Sequence, residues 1–317
     1  MNTALLSSQA HRNRQGMLSL SLSLFLFSFQ DMVIKSFSDE YSVLQIVFTR
    51  SLVALLLLCG FAIIFSGFQA LIARQPVLLL VKGVIYFFAF TFYYMAFPML
   101  PVADVVAVTF LAPIIVTLLS IVLLKERVSF KLWCAVIAGF IGVLFVVGPE
   151  GKINNFGTLL AFACAFTYAS GSVITRYITK GDQPLTIAIY SMFVLMLMSA
   201  AGFLIVLGFE LKTGVNPALD FLLRDWVKFE GRDMWLLLLI GCIASVGFYL
   251  HNRAYLIAPA SQVAPFEYTY VFYSVFLAYL FFSEVPKPTT LAGLAILISS
   301  SMYIWYQTSG KAGSQKI

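Results

Sequence analysis

Two stretches of the chain align with each other without a gap, and identical residues recur at matching positions along them. They read GVIYFFAFTFYYMAFPMLPVADVVAVTFLAPIIVTLLSIVLLKE at residues 83–126 and GCIASVGFYLHNRAYLIAPASQVAPFEYTYVFYSVFLAYLFFSE at residues 241–284. One constant shift aligns the identical residues that mark both copies: Gly83 with Gly241, Phe90 with Phe248, Ala96 with Ala254, Pro101 with Pro259, Val105 with Val263 and Glu126 with Glu284. A shorter shift aligns Gly16 with Gly157, Leu18 with Leu159 and Lys35 with Arg176. The chain therefore contains two copies of one structural unit.

The composition is that of a membrane protein. Of the 317 residues, 61% are hydrophobic and 11% are charged, whereas about 25% of the residues of a soluble domain are charged. A bilayer core about 30 Å thick needs roughly 20 apolar residues of helix to cross it. Ten segments approach that length: 16–34, 43–65, 77–97, 102–124, 132–147, 156–174, 185–208, 235–256, 260–282 and 291–306. We predict an all-α membrane protein with ten transmembrane helices.

The repeat divides these helices into two halves of five. The first half covers residues 16–150 and the second covers residues 151–307. Because five is an odd number, the second copy must cross the membrane in the opposite sense to the first. Such inverted repeats are typical of secondary transporters, which bind their substrate near the bilayer midplane between the halves.

The basic residues indicate the orientation of the chain. An even number of helices places the tails 1–15 and 308–317 on one side, together with most of the Lys and Arg: Arg12, Arg14, Arg74, Lys82, Lys125, Arg127, Lys131, Arg176, Lys180, Lys311 and Lys316. Cytoplasmic loops carry such an excess. We therefore expect a multi-pass protein of the bacterial cytoplasmic (inner) membrane with both tails cytoplasmic and a periplasmic loop at 209–233. In that loop Asn216 and Pro217 favour a short amphipathic helix, and a plain spacer fits equally well.

The chain resembles the EamA-type members of the drug/metabolite transporter superfamily, which have two five-helix halves. The resemblance spans essentially the whole chain and rests on Ala96, Pro101, Ala103, Pro113 and the sequence Lys125-Glu126-Arg127. The second half keeps Ala254, Pro259 and Glu284 and departs from the pattern at Val271, which stands where Pro113 would recur.

A second pattern is similar to a subset of that family that includes S-adenosylmethionine uptake carriers. It consists of Phe27-Ser28, Asp31, Lys35, Gln45 and Arg50. The resemblance implies a secondary transporter of a small polar organic metabolite, amino-acid-like or nucleoside-like, that works by alternating access. A riboflavin carrier and an exporter of amino acids or drugs fit the same resemblance.

Five polar residues within the predicted helices break the repeat: Arg50, Arg253, Glu267, Asp31 and His251. An ionisable residue in the membrane costs about 2.5–3.5 kcal/mol on insertion scales and normally faces the bundle interior. Arg253 and Glu267 flank Pro259 at similar distances, so the two side chains can pair. Asp31 and Arg50 flank the first loop and can pair too.

We predict that these charges hold a zwitterionic or anionic substrate or open as the halves move. The alternative is a set of static pairs without ligand contact, such as Asp31 with Lys35 four residues later. Glu126 and Glu284 preserve the repeat and lie at helix ends, so we expect them to anchor or cap helices. Glu267 is also a candidate proton site, and exchange or facilitated diffusion fits the sequence as well.

Aromatic residues of the predicted core complete the candidate site. Tyr94, Tyr168, Tyr249, Tyr268 and Phe110, with Asn252 beside them, offer stacking surfaces and hydroxyl groups to a planar substrate. Ordinary packing is the alternative for each of them.

Other functional classes have little support in the sequence. The four Cys lie in apolar segments without metal-ligand spacing, and the two His form no cluster. We therefore expect no catalytic residues, metal or cofactor. A membrane-embedded enzyme acting on lipids is the alternative from another class, and a channel is a third. The net charge of +6 is explained by cytoplasmic loops, so we expect no nucleic-acid partner. The expected partners are a small metabolite and the bilayer, with the chain acting as a monomer or homodimer.

Overall fold

The computed structural model describes residues 2–35, 41–96, 99–100, 102–147, 155–178, 181–208, 217–229, 231–282 and 285–310. In these residues the regular structure is helical. The helices are α1 (Asn2–Lys35), α2 (Val43–Phe61), α3 (Pro76–Ala96), α4 (Val102–Thr109), α5 (Ala112–Leu124), α6 (Phe130–Val147), α7 (Asn155–Tyr177), α8 (Pro184–Gly208), α9 (Pro217–Leu223), α10 (Gly231–Ile257), α11 (Ala260–Val263), α12 (Thr269–Phe282) and α13 (Pro288–Gly310).

Eight helices of the described chain are long and apolar enough to cross a membrane. The first of these spans lies at 11–34, within a helix that starts earlier than the predicted residue 16. The fourth combines α4 and α5, which are separated by a break at Phe110–Leu111 before Pro113. The two other predicted segments correspond to the shorter α6 and to α11 and α12, which a 3₁₀ turn at Ala264–Tyr268 joins.

The main helix packing occurs between the two halves of the chain. Helix α1 packs on α10 and α3 packs on α7, while α2 packs on α8 and α6 on α13. Glycine allows two further approaches, of α3 to α8 and of α10 to α2. A methyl group at Gly83 would lie 2.6 Å from Cβ of Val194, and one at Gly241 would lie 2.4 Å from Cβ of Val53. The repeat aligns Gly83 with Gly241, and its shorter shift aligns Val53 with Val194. Aligned residues thus make equivalent contacts in the two halves.

A short helix, α9, forms in the long loop, which was one of the two expectations for that segment. It covers one end of the bundle: Phe221 is buried against α2 and α3. Beyond α9, the ring of Trp226 stacks on Phe203 with centroids 4.2 Å apart. Gln45 of α2 accepts from the backbone N–H of Val227 at 3.2 Å. The proposed start of the helix at Asn216 lies outside the described residues.

Candidate functional site

A cavity of about 130 Å³ lies between helices of both halves. Its wall is aromatic and contains two carboxylates: Phe27, Asp31, Phe90, Tyr93, Tyr94, Phe110, Tyr168, Glu267 and Tyr270 are among its residues. Cys164 and Gln30 also contribute to it. Pockets for drug-sized ligands measure about 300–1,000 Å³, so the cavity must widen before it can hold a metabolite of nucleoside size.

Asp31, which lines the cavity, and Arg50, which lies behind the lining residue Phe90, form the first charged group. Asp31 Oδ2 accepts a hydrogen bond of 2.6 Å from the Tyr270 hydroxyl. Arg50 is fully buried, and its guanidinium carbon lies 4.8 Å from the centre of the Phe90 ring. Its three guanidinium nitrogens make no hydrogen bond of good geometry within the described part of the chain, but the group lies close enough to Tyr94 to interact with its hydroxyl, and its charge acts on Asp31. The pairing of Asp31 with Arg50 is therefore electrostatic and lacks a direct hydrogen bond.

Glu267 forms the second charged group. It is 4% exposed and lies in the 3₁₀ turn that contains Pro265. Its carboxylate accepts a hydrogen bond from the Tyr255 hydroxyl and also interacts with Tyr168. The Tyr168 hydroxyl lies 3.0 Å from Nε2 of His251. His251, which does not line the cavity, thus connects to it through Tyr168.

Arg253 and Glu267, which the sequence allowed to pair, do not pair in the structure. Arg253 instead donates from Nη1 to Ser19 Oγ of α1 at 3.2 Å. Arg253 and Tyr255 are two positions apart and therefore point about 200° apart around the helix axis. Since Tyr255 faces Glu267, Arg253 faces away from it. The similar distances of Arg253 and Glu267 from Pro259 indicated that the two residues lie at similar depths in the bundle. They did not indicate the direction in which each side chain points around its helix.

Lys82 is a buried residue of the interior and does not belong with the basic loop residues of the cytoplasmic side, among which its position next to Arg74 had placed it. It is 0% exposed, and its Nζ donates to Asn252 Oδ1 at 2.6 Å and to Ser191 Oγ at 3.3 Å. Its Nζ also lies 4.7 Å from the centre of the Tyr86 ring. The sequence contains a signal for the burial of Lys82: the residue lies inside the predicted segment 77–97, several residues beyond Pro76, where α3 begins.

Glu126 joins the two halves at the end opposite α9. Its carboxylate accepts from the backbone N–H of Ala260 at 3.1 Å, from that of Ser261 at 3.0 Å and from Ser261 Oγ at 2.5 Å. Arg176 places Nε 3.7 Å from the same carboxylate and donates to the carbonyl of Leu256 at 2.8 Å. The expected helix-capping role of Glu126 is thereby confirmed, whereas Glu284 lies outside the described residues.

The other sequence candidates divide into two groups. Tyr94, Tyr168 and Phe110 line the cavity, and Asn252 contacts Lys82. Tyr268 is fully buried behind Phe110, with ring centroids 6.1 Å apart, and Tyr249 packs among α2, α8 and α10. The last two residues therefore lie in the packed core beside the cavity.

Comparison with known proteins places the chain among transporters. The model of the EamA-like transporter family matches residues 14–148 and 155–306. The S-adenosylmethionine uptake transporter of Rickettsia prowazekii (strain Madrid E) is 23% identical over 288 residues, which are 91% of each chain. A riboflavin transporter of Vibrio cholerae serotype O1 is 28% identical over 211 residues, 66% of this chain and 64% of that one. A crystal structure with 18% identity matches with a TM-score of 0.76 and covers 94% of this chain and 99% of its own, which supports the fold alone.

Proposed function

Because the chain belongs to the EamA-like transporter family, we propose that it moves a small polar organic metabolite across the bacterial cytoplasmic membrane by alternating access. Membership of this family and its multiple apolar helices make the chain a multi-pass membrane transporter. The relatives are named as transporters, which argues against the lipid-modifying enzyme.

The proposed arrangement is ten helices in two inverted halves with both tails in the cytoplasm. The two segments matched by the family model support the division into halves. The contacts of Gly83 with Val194 and of Gly241 with Val53 support a two-fold relation between them. Excess Lys and Arg beside the tails supports the orientation. In this arrangement α9 covers the periplasmic end and Glu126 lies at the cytoplasmic end.

Glu126 supplies the proposed closure of the cytoplasmic side. The residue belongs to the first half, and the Ala260 and Ser261 amides that it caps begin the fourth helix of the second half. The halves can separate at this end only when these bonds break. The repeat aligns Glu126 with Glu284 and Arg176 with Lys35. We propose that Glu284 and Lys35 together close the periplasmic side in the opposite conformation.

The carboxylates Asp31 and Glu267 in an aromatic cavity are the observation that carries the choice of substrate. Such a cavity suits a metabolite that combines a positive charge with a planar ring, because carboxylates attract the charge and tyrosines stack on the ring. S-adenosylmethionine has both features, and relatives that cover most of the chain are named for its uptake. Riboflavin is the second candidate, since the aromatic wall suits its planar ring system.

Flux measurements with purified protein in sealed liposomes test the proposal. Labelled S-adenosylmethionine, methionine and riboflavin are supplied with and without a pH gradient. We expect saturable accumulation of unchanged S-adenosylmethionine that excess unlabelled compound abolishes. Protein-free liposomes are the control. Flux that rises linearly with concentration indicates a channel, a chemically altered product indicates an enzyme, and the absence of flux for all three compounds contradicts the proposed substrate class.

A further inference from the structure

A buried cation without an acid beside it needs an explanation. Lys82 is 0% exposed, and the partners that the structure gives its ammonium group within the described residues are the neutral Asn252, Ser191 and the ring of Tyr86. Removing an ammonium ion from water costs several kcal/mol unless an opposite charge compensates it. A purely structural contact between helices would not require a charge at this position.

The repeat relates the surroundings of Lys82 to those of Arg50. Ser191, which accepts from Lys82, is the counterpart of Arg50, and Asn252, which also accepts from Lys82, is the counterpart of Tyr94. In the first half, the charge of Arg50 acts on Tyr94 itself. Arg50 therefore carries its charge at one of these positions in the first half, and Lys82, also of the first half, brings an ammonium group to the equivalent positions Ser191 and Asn252 of the second half.

Each of these two cations lies over one ring of an aromatic pair on α3. Arg50 lies over Phe90 and Lys82 lies over Tyr86, one turn earlier on α3, and the two rings are stacked with centroids 6.3 Å apart. Tyr86 also packs edge-on against Tyr168, at 5.9 Å between centroids. Phe90 and Tyr168 line the cavity, whereas Arg50 and Lys82 do not, so both cations lie behind the cavity wall in the present conformation and reach a substrate only after these rings move.

We propose that Arg50 and Lys82 form two alternative subsites for one carboxylate of the substrate, with Arg50 holding it when the cavity faces outward and Lys82 when it faces the cytoplasm. This inference rests on the proposed function and deepens it. The guanidinium of Arg50 makes no hydrogen bond of good geometry within the described residues and offers paired donors that match a carboxylate. Asp31 beside it suits an ammonium group. The substrate class is then an α-amino acid head group attached to a planar or cationic side group.

A pair of matched compounds tests the assignment. S-adenosylmethionine and its decarboxylated analogue differ by the carboxylate, and their KM values are measured from each face of the membrane in right-side-out and inside-out vesicles. We expect K82M to raise the cytoplasmic KM for S-adenosylmethionine at least about tenfold, the usual effect of losing a hydrogen bond to a charged group. The periplasmic KM and the values for the analogue stay within about twofold. R50M should instead raise the periplasmic KM for S-adenosylmethionine and leave the cytoplasmic KM within about twofold.

Three further variants separate the charge from the packing. K82R keeps the cation and should stay within about threefold of the wild-type KM. K131M removes an exposed lysine and should change nothing. Moving the ammonium group across the contact, with K82S and S191K combined, should recover most of the loss seen in K82M. An equal loss for both compounds, an equal loss at both faces, or an unchanged KM in K82M overturns the two-subsite assignment while leaving transport itself established.

A measurement without flux distinguishes this inference from the proposed function. Thermal unfolding of purified wild-type, R50M and K82M protein is followed with α-amino acids, their amides and S-adenosylmethionine. We expect the carboxylates to raise the Tm of the wild-type protein more than the amides do, and each variant to weaken that difference. Equal stabilisation by acids and amides, or none by either, overturns the carboxylate subsites even where riboflavin is transported.

Discussion

Replacing Glu126 by Ala should open the cytoplasmic side of the transporter. The substitution removes the acceptor of two backbone N–H groups and one hydroxyl group at the start of α11. It also removes the partner of Arg176. Because these contacts join the two halves, their loss affects the closed conformation and leaves the packing within each half intact.

The size of the effect follows from the contacts that are lost. Loss of a capping side chain typically costs about 1–2 kcal/mol. The ion pair with Arg176 adds less than about 1 kcal/mol, because the two side chains are 25% and 14% exposed and solvent screens them. A bias of about 2 kcal/mol corresponds to roughly a thirtyfold shift toward the conformation that opens to the cytoplasm. Gln at position 126 keeps an acceptor and should produce a smaller shift.

Cys164 provides a reporter for this opening. It is buried and lines the cavity, and the other cysteines, Cys59, Cys134 and Cys242, are replaced by Ser so that it reacts alone. A membrane-impermeant thiol reagent is applied to inside-out vesicles, and the labelling rate is measured. We expect the rate to rise about tenfold or more in E126A and to stay unchanged in R127A, which alters an exposed neighbour. A rate in E126A within twofold of the parent would refute the closure by Glu126.

Three further predictions concern the site, the packing and the topology. Asp31→Asn should raise the KM for S-adenosylmethionine several-fold and leave any riboflavin flux unchanged, because only S-adenosylmethionine carries a positive group for the carboxylate to face. Equal effects of the substitution on the liposome fluxes of the two compounds would contradict this. Gly241→Val should lower the Tm of the purified protein by several degrees, because the new side chain would overlap Val53. Gly60→Ala is the control, since a methyl group there meets nothing within 4 Å. Adding Val53→Ala to Gly241→Val should restore part of the lost Tm, and an unchanged Tm in Gly241→Val would argue against the tight approach. Reporter domains fused to either end should be active only in the cytoplasm, and a periplasmic signal from one end would exclude an even number of crossings.

Hydropathy and the repeat predict most of the helices, because length and apolar composition determine which segments can cross a bilayer. They also predict the cap formed by Glu126, since a preserved acid at a helix end has few other uses. The direction of a side chain around its helix was harder to obtain. The sequence allowed Arg253 to face Glu267, but the 3₁₀ turn and the rotation along α10 bring Tyr255 there instead. Lys82 was misplaced because a count of basic residues does not distinguish a loop from the first turns of a buried helix.

The repeat separates the residues of the scaffold from those of the site. In the proposed inverted arrangement the close helix contacts recur in both halves, which accounts for glycine at both position 83 and position 241. A substrate with one carboxylate and one ammonium group has no such symmetry, so the charges that meet it can differ between the halves. Arg50 and Lys82 combine the two requirements: their surroundings are related by the repeat, while the cations come from different helices. Because Lys82 does not align with Arg50, a comparison of aligned positions does not relate the two cations. The contacts of Lys82 with Ser191 and Asn252 do relate them.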